Sequence, residues 1–527
     1  MYGDGEDAIS RKTMGDVDVV YHDGLYHLFH LVLPNHDFIA HAVSEDGLHW
    51  RRVDNALFIG HPGSWDDSML WTMAISPDPF QPGQWRMFYT GLSRRDRQLT
   101  QRIGLAVSSD LFCWEKRPTN WKSVERRRNE FPRNAAIPES LYDPNSCFPL
   151  EPHPQHYEAT IKEGRQWISW RDPFYYREGD RGFLLCAGRV NVGPVIRRGC
   201  VAVTEEVERE CFESRPPLFF PGLYDDIEVP NLFKLDGEYY LIGSIREDAK
   251  IRYWHTKSLD QPWQTYHDNV LMAKGNYAGR ICHDDKGVLF WNFFSRNMLD
   301  RTVDNIMPPP KRLVRTEGGL LRAVTFEGFD QRVSGDVDMT EIAPLPRPAV
   351  ETHCDSGQAT RCVWINDELI LANESGFQVF GVPRPIQDFR FEAKVEMTGL
   401  GKCGLLFRFD RETLDGYYLS LDLVKGLAQL RDWGTRHDLV GEHMMKFRSL
   451  QAGYWHAEGG PVEISVMAFG SYLEMSVDGR VILSLADKEY RSGQFGIYVE
   501  SATVKLSDVR LENLAPPTQS ESHLVSG

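Results

Sequence analysis

The sequence lacks the short motifs that mark several enzyme classes. Its 527 residues contain no C-x-x-C pair, no H-E-x-x-H spacing and no G-x-S-x-G elbow, so a dithiol redox centre, a zincin helix and a hydrolase nucleophile elbow are unsupported. Glycine is not gathered into a phosphate-cradling loop, and GNYAGR at 275–280 is too poor in it to hold a nucleotide. The seventeen histidines, His27, His30, His36, His41 and His49 among them, show no ligand spacing. No metal and no cofactor are expected. The net charge of −16 comes without a basic stripe, which argues against nucleic acid or an anionic membrane as partner and favours a neutral one. No apolar run reaches membrane-spanning length, and MYGDGEDAISRKTMGD at the start holds no apolar segment. Nine cysteines are scattered without a framework, and Cys113, Cys186 and Cys282, in apolar runs, are expected to be buried. This usage suits a reducing, cytoplasmic setting. Helical periodicity is almost absent.

What is abundant is aromatic: 14 Trp, 20 Tyr and 28 Phe. SEDGLHW at 44–50 and SSDLFCW at 108–114 share Ser-x-Asp-x-x-x-Trp, and SLDQPW, ending at Trp263, is a weaker copy. Strand-like segments recur at 23–29, 85–91, 181–188, 236–244 and 287–294, each short, rich in aromatic or β-branched residues and bounded by turn residues. Five such units predict an all-β fold, a five-bladed β-propeller with about four strands per blade, over residues 1–340. Proline-rich APLPRPAV at 343–350 reads as a linker. Beyond it FRFEAKVEM at 389–397 alternates cleanly, and Asp478-Gly479 marks a hairpin. Residues 341–514 are therefore expected to form a concanavalin-like β-sandwich bracing the propeller, and 515–527 a flexible tail. The charged run Glu115–Arg133 reads as a solvated insertion.

One stretch conflicts with its surroundings. WISWRDPFYY at 167–176 is a strand sequence interrupted by Arg171, Asp172 and a proline. Asp16 in MGDVDVVYHD and Glu228 in YDDIEVPNLF also sit among apolar residues that would raise or couple their pKa values. An Asp before a strand is ordinarily a turn or cap residue. Three acids at comparable places in successive blades instead suit glycoside hydrolysis, in which one carboxyl protonates the leaving oxygen and another attacks or supports the anomeric carbon.

With these motifs the sequence resembles glycoside hydrolase family 32, the invertase, inulinase and levanase group, over most of residues 14–330. YHLF with AHAVSEDGLHW, FYTG at 88–91, QRIGLAVSSDLFCWEK at 101–116, WRDP, EVPNLF and YAG at 277–279 carry the resemblance. It implies a five-bladed propeller with an appended sandwich, a retaining double displacement on a fructofuranoside or close furanoside, and an oligosaccharide or small glycoside as partner. By the resemblance Asp16 would be the nucleophile, Glu228 the general acid/base and Asp172 the transition-state stabiliser, with Arg171 compensating buried charge. Asp18 is the alternative nucleophile.

The family's Trp-Met-Asn-Asp-Pro-Asn-Gly motif is reduced here to TMGDVDVV, His30 stands where glutamine is common, and WDDSMLWTMA at 65–74 replaces a Ser-Gly-Ser element. His30, Asp67, Trp71 and Tyr277, with Arg171, are the expected sugar-binding residues, and their replacement is expected to alter which furanose is accepted or whether the sugar is transferred. An inverting arabinofuranosidase- or xylosidase-type propeller and a non-catalytic carbohydrate-binding protein are the competing readings.

Overall fold

The structure, a computed structural model, describes residues 13–122, 138–161, 165–295, 305–346, 360–434 and 447–517. Residues 518–527 of the expected tail, 347–350 of the expected linker and 123–133 of the charged run lie outside the described residues. Contacts divide the chain into two compact units between Leu321 and Arg322.

The first unit is built from five antiparallel sheets taken in sequence order, four of four strands and the first of five. Their first strands are Thr13–His22, Met69–Pro77, Trp170–Glu178, Ile227–Leu235 and Asn276–Asp284. These pack side by side in a ring that closes from the fifth onto the first. They are the inner strands of a five-bladed propeller. The five segments read from sequence are the second strands, Leu25–Leu33, Trp85–Leu92, Arg181–Arg189, Glu238–Ile245 and Gly287–Phe294. They carry the apolar side chains that pack between blades, as Phe29, Met87, Leu184, Leu241 and Phe290 do. The ring is stitched where Thr13 Oγ1 donates to the Asn305 carbonyl and Asn305 Nδ2 to the Met14 carbonyl, each at 3.0 Å.

The repeated Ser-x-Asp-x-x-x-Trp has a local cause. Ser44 Oγ accepts from Gly47 N at 2.9 Å, and Asp46 Oδ1 accepts from Leu48 N and His49 N at 2.8 and 2.7 Å. Ser108 and Asp110 repeat this set on Leu111 N, Phe112 N and Cys113 N at 2.9, 2.8 and 2.7 Å. The motif is a side-chain-capped turn between the outer strands of a blade. It also corrects one expectation. Cys186 and Cys282 are buried, but Cys113 is exposed, because it falls in this turn and not in the strand before it.

The second unit is a β-sandwich. Strands Phe389–Phe409 and Gln494–Leu514, each 21 residues long, pair along their length. Bulges near Gly399 and Lys402 let the first half of Phe389–Phe409 pair with Val462–Phe469 and its second half with Gly416–Asp422. Alternation holds as read: Phe389, Phe391, Ala393 and Val395 are buried in the core with Leu405, Ile464, Leu483 and Val504.

Candidate active site

Every inner strand carries a one-residue irregularity near its start. The pairing register shifts between Met14 and Val17, Trp71 and Met73, Arg171 and Phe174, Glu228 and Asn231, and Tyr277 and Arg280. A bulge takes a residue out of the ladder and re-aims its neighbours. Aligned on the bulge, Trp170-Arg171-Asp172-Pro173-Phe174 matches Ile227-Glu228-Val229-Pro230-Asn231 and Asn276-Tyr277-Ala278-Gly279-Arg280. Asp172, Val229 and Ala278 share positive φ values of 61°, 50° and 51°. Such backbone is disfavoured for a side chain bearing Cβ, so the turn is held by its surroundings.

The bulges bring Asp16, Asp172 and Glu228 together from three blades. Thr72 Oγ1 donates to Asp16 Oδ2 and also stands in hydrogen-bonding reach of Asp172. Glu228 Oε1 accepts from Arg171 Nη2 at 2.6 Å and Glu228 Oε2 from the Tyr277 hydroxyl. Asp172 Oδ2 accepts from Val229 N at 3.1 Å and lies 3.6 Å from Arg171 Nε. Burial pushes all three carboxyls up. Their mutual charge adds to this, Glu228 acting on Asp16, Asp16 on Asp172 and Asp172 on Glu228. Thr72, Arg280 and Arg171 pull Asp16 back toward the ionised form, and Arg171 and Tyr277 do so for Glu228.

Arg171 is the counter-ion. Its Nη2 also lies 3.3 Å from Asp226 Oδ2, and Nη1 donates to Ser169 Oγ and, at 3.4 Å, to Gln101 Oε1. Burial works against the cation, but Asp226, Glu228 and Asp172 together hold it well above its ordinary pKa. Asp226 is anchored in turn by Arg189 Nη2 at 2.7 Å and Ser169 Oγ at 3.1 Å. Such a network suits a guanidinium, whose planar fork serves several oxygens at once.

With this geometry in view, similarity to known proteins becomes informative. Residues 12–136 match the family described as glycosyl hydrolases family 32 N-terminal domain. The levanase of Bacillus subtilis (strain 168) is 25% identical over 156 residues, 28% of this chain and 20% of the levanase. Over residues 12–136 the chain is thus similar to glycoside hydrolase family 32, as a divergent relative. The solved exo-inulinase of Aspergillus awamori superposes with a TM-score of 0.66 at 14% identity, covering 96% of this chain and 97% of that one. Fructan 1-exohydrolase IIa of Cichorium intybus gives 0.65 at 13% identity, covering 96% of each. At such identities these likenesses speak for the fold alone, the propeller with its sandwich.

The residues expected from sequence divide. Asp16, Asp172, Glu228, Arg171 and Tyr277 meet in one network. Trp71 occupies the pre-bulge position of the second blade, matching Arg171, Glu228 and Tyr277, and is half-buried. Asp67 is turned inward, accepting from Gly63 N at 2.7 Å, Arg94 N at 2.8 Å and Ser93 Oγ at 3.2 Å. It shapes the loop before the second inner strand. His30 is fully buried, its Nδ1 2.8 Å from the Leu31 carbonyl, with burial and then Arg52 lowering its pKa to about 3. Asp18, the alternative nucleophile, lies deeper than Asp16. It accepts from Ile75 N at 2.6 Å, and burial raises it to about 7.

Thr72, Gln101, Asp226 and Arg280 belong to the network and were not anticipated. Asp226 had a signal, since it is an acid two residues before Glu228, just ahead of the strand Ile227–Leu235. Arg280 becomes visible only when the inner strands are aligned on their bulges.

Proposed function

We propose that the chain is a glycoside hydrolase that cleaves a fructofuranosyl or closely related furanosyl bond by a retaining double displacement. The observation that carries this reading is the convergence of Asp16, Asp172 and Glu228 from three blades, with Arg171 as their shared countercharge. Burying three like charges costs several kcal/mol each unless they are compensated, and a raised, coupled carboxyl set is what acid/base work needs. The names of its relatives, a levanase, an exo-inulinase and a fructan exohydrolase, support a fructoside as substrate class.

In the first step the Asp16 carboxylate attacks the anomeric carbon while protonated Glu228 gives its proton to the departing glycosidic oxygen. The leaving group departs as an alcohol, and the sugar is held as an ester of Asp16. Glu228, now a carboxylate, takes a proton from water, whose oxygen attacks the same carbon and frees Asp16. A sugar hydroxyl in place of water gives transfer instead of hydrolysis. Asp172 accepts hydrogen bonds from ring hydroxyls and supports the oxocarbenium-like charge. The Thr72 hydroxyl fixes the orientation of Asp16. Its pairing with the hydroxyl, and the nearness of Arg171, make Asp16 better suited to attack than the deeper Asp18, whose carboxylate is taken up by Ile75 N.

The test is incubation of the purified chain with sucrose, inulin, levan, aryl arabinofuranosides and aryl xylosides. Release of fructose or transfer of a fructosyl group is expected. Exclusive action on arabinofuranosides or xylosides would overturn the substrate assignment, and binding of sugars without turnover would overturn the enzymatic one.

A further inference from the structure

We propose that Arg280 is the axial positioning residue of this site, one guanidinium that joins all five inner strands beneath the carboxylates and sets a fixed positive charge under Asp16 and Asp172. The inference rests on the reading of those carboxylates as the acting groups.

Arg280 belongs to the fifth inner strand and is fully buried. Nη1 donates to the Pro230 carbonyl of the fourth blade at 3.0 Å. Nη2 donates to the Pro173 carbonyl of the third at 2.7 Å and to the Met73 carbonyl of the second at 3.3 Å. Nε lies 3.9 Å from Asp18 Oδ1 of the first. Pro173 and Pro230 are residues that the bulges remove from the strand ladder, so their carbonyls need another donor when buried. The same departures from regular strand that aim Asp172 and Glu228 are thus bound from below by one side chain. A lysine ammonium, a compact point charge, could not span carbonyls of three strands in this way.

The charge is as well placed as the hydrogen bonds. Burial works against the Arg280 cation, and Asp18, Asp172 and Asp16 support it, in that order. The Phe174 ring lies 5.7 Å from its Cζ. Above these groups stand Thr72, Arg171, Glu228, Tyr277 and Asp226. Arg280 in turn lowers the Asp16 pKa against burial, so the strength of Asp16 as an acid depends on this fixed charge.

The test uses the full chain as Arg280→Lys and Arg280→Met. The acid limb of kcat/KM reports ionisation of the nucleophile. It should move up by about one pH unit in Arg280→Met and by less in Arg280→Lys. Thermal midpoints at pH 5 and pH 8 give a readout independent of turnover. The deficit of Arg280→Met should be larger at pH 8, where the uncompensated carboxylates are ionised. Equal deficits at both pH values with an unmoved acid limb would reduce Arg280 to packing and overturn the proposal. If Arg280→Met does not fold, an upward limb shift in Arg280→Lys supports the proposal, and an unmoved limb overturns it. If the wild type turns over no furanoside, the functional reading fails, and the two midpoints for Arg280→Met decide this proposal alone.

Discussion

Arg171 Nη2 lies 2.6 Å from Glu228 Oε1 and, from the same nitrogen, 3.3 Å from Asp226 Oδ2. The candidate acid/base is therefore tethered to a cation that already has a second carboxylate in reach. When Glu228 takes up a proton, Asp226 and Asp172 keep Arg171 compensated, so the change of protonation that the reaction requires leaves no isolated buried charge.

Asp16→Asn and Glu228→Gln should each lower kcat by at least about 10³-fold, since either removes a covalent or proton-transfer role. Their thermal midpoints should stay near or above that of the wild type, because burial disfavours the charges removed. Steady-state kinetics beside thermal melts checks this. Retained turnover in either variant removes that residue from its role.

Arg171 has no conservative replacement in this setting. Arg171→Leu should destabilise the chain by about 3–5 kcal/mol by leaving Asp226, Glu228 and Asp172 uncompensated. Arg171→Lys should fold and lose activity by about 10²-fold, its single ammonium being unable to serve the same set of oxygens. Denaturant unfolding and kinetics together distinguish the two outcomes.

The Tyr277 hydroxyl donates to Glu228 and lowers its pKa against the larger upward push of burial. In Tyr277→Phe that support is gone, so the Glu228 pKa rises further. A general acid must be protonated, so the alkaline limb of kcat should move to higher pH by about one unit. A downward shift would contradict the assigned contact.

Much of this site could be read in the chain itself, for identifiable reasons. The second strand of each blade was legible because its apolar segment and flanking turn residues are local. The Ser-x-Asp-x-x-x-Trp repeat was legible because one turn uses one set of side chains each time. Asp172 and Glu228 stood out as charges in strand-like runs. Asp67 resembled a ligand because it is an acid in the stretch that replaces the family's Ser-Gly-Ser element, yet its oxygens are consumed by Gly63, Ser93 and Arg94, contacts that no local pattern announces. Arg280 was hidden for the opposite reason. Its partners Met73, Pro173 and Pro230 contribute backbone carbonyls from other blades, and backbone acceptors leave no mark on sequence.

The first blade holds a buried histidine cluster with consequences for stability. His27 Nδ1 lies 3.1 Å from His41 Nε2, and the His41 ring stacks on Phe29 at 4.4 Å. Burial, then neighbouring positive charge, lowers His27 to about 4 and His41 to about 2. The unfolded chain, with histidines near 6.5, binds more protons below that pH, so their contribution is intact above pH 6.5 and is lost as pH falls through it. Asp18, raised to about 7, has the opposite sign, so the comparison must be against a variant. His41→Phe should flatten the decline in thermal midpoint between pH 6.5 and 4, and an unchanged decline would contradict it.

The proposed double displacement requires Asp16 and Glu228 to act in succession on one anomeric carbon. NMR of the first product formed from a β-fructofuranoside, recorded before mutarotation, tests this most directly. Release of the β-anomer is predicted; first appearance of the α-anomer would contradict the double displacement.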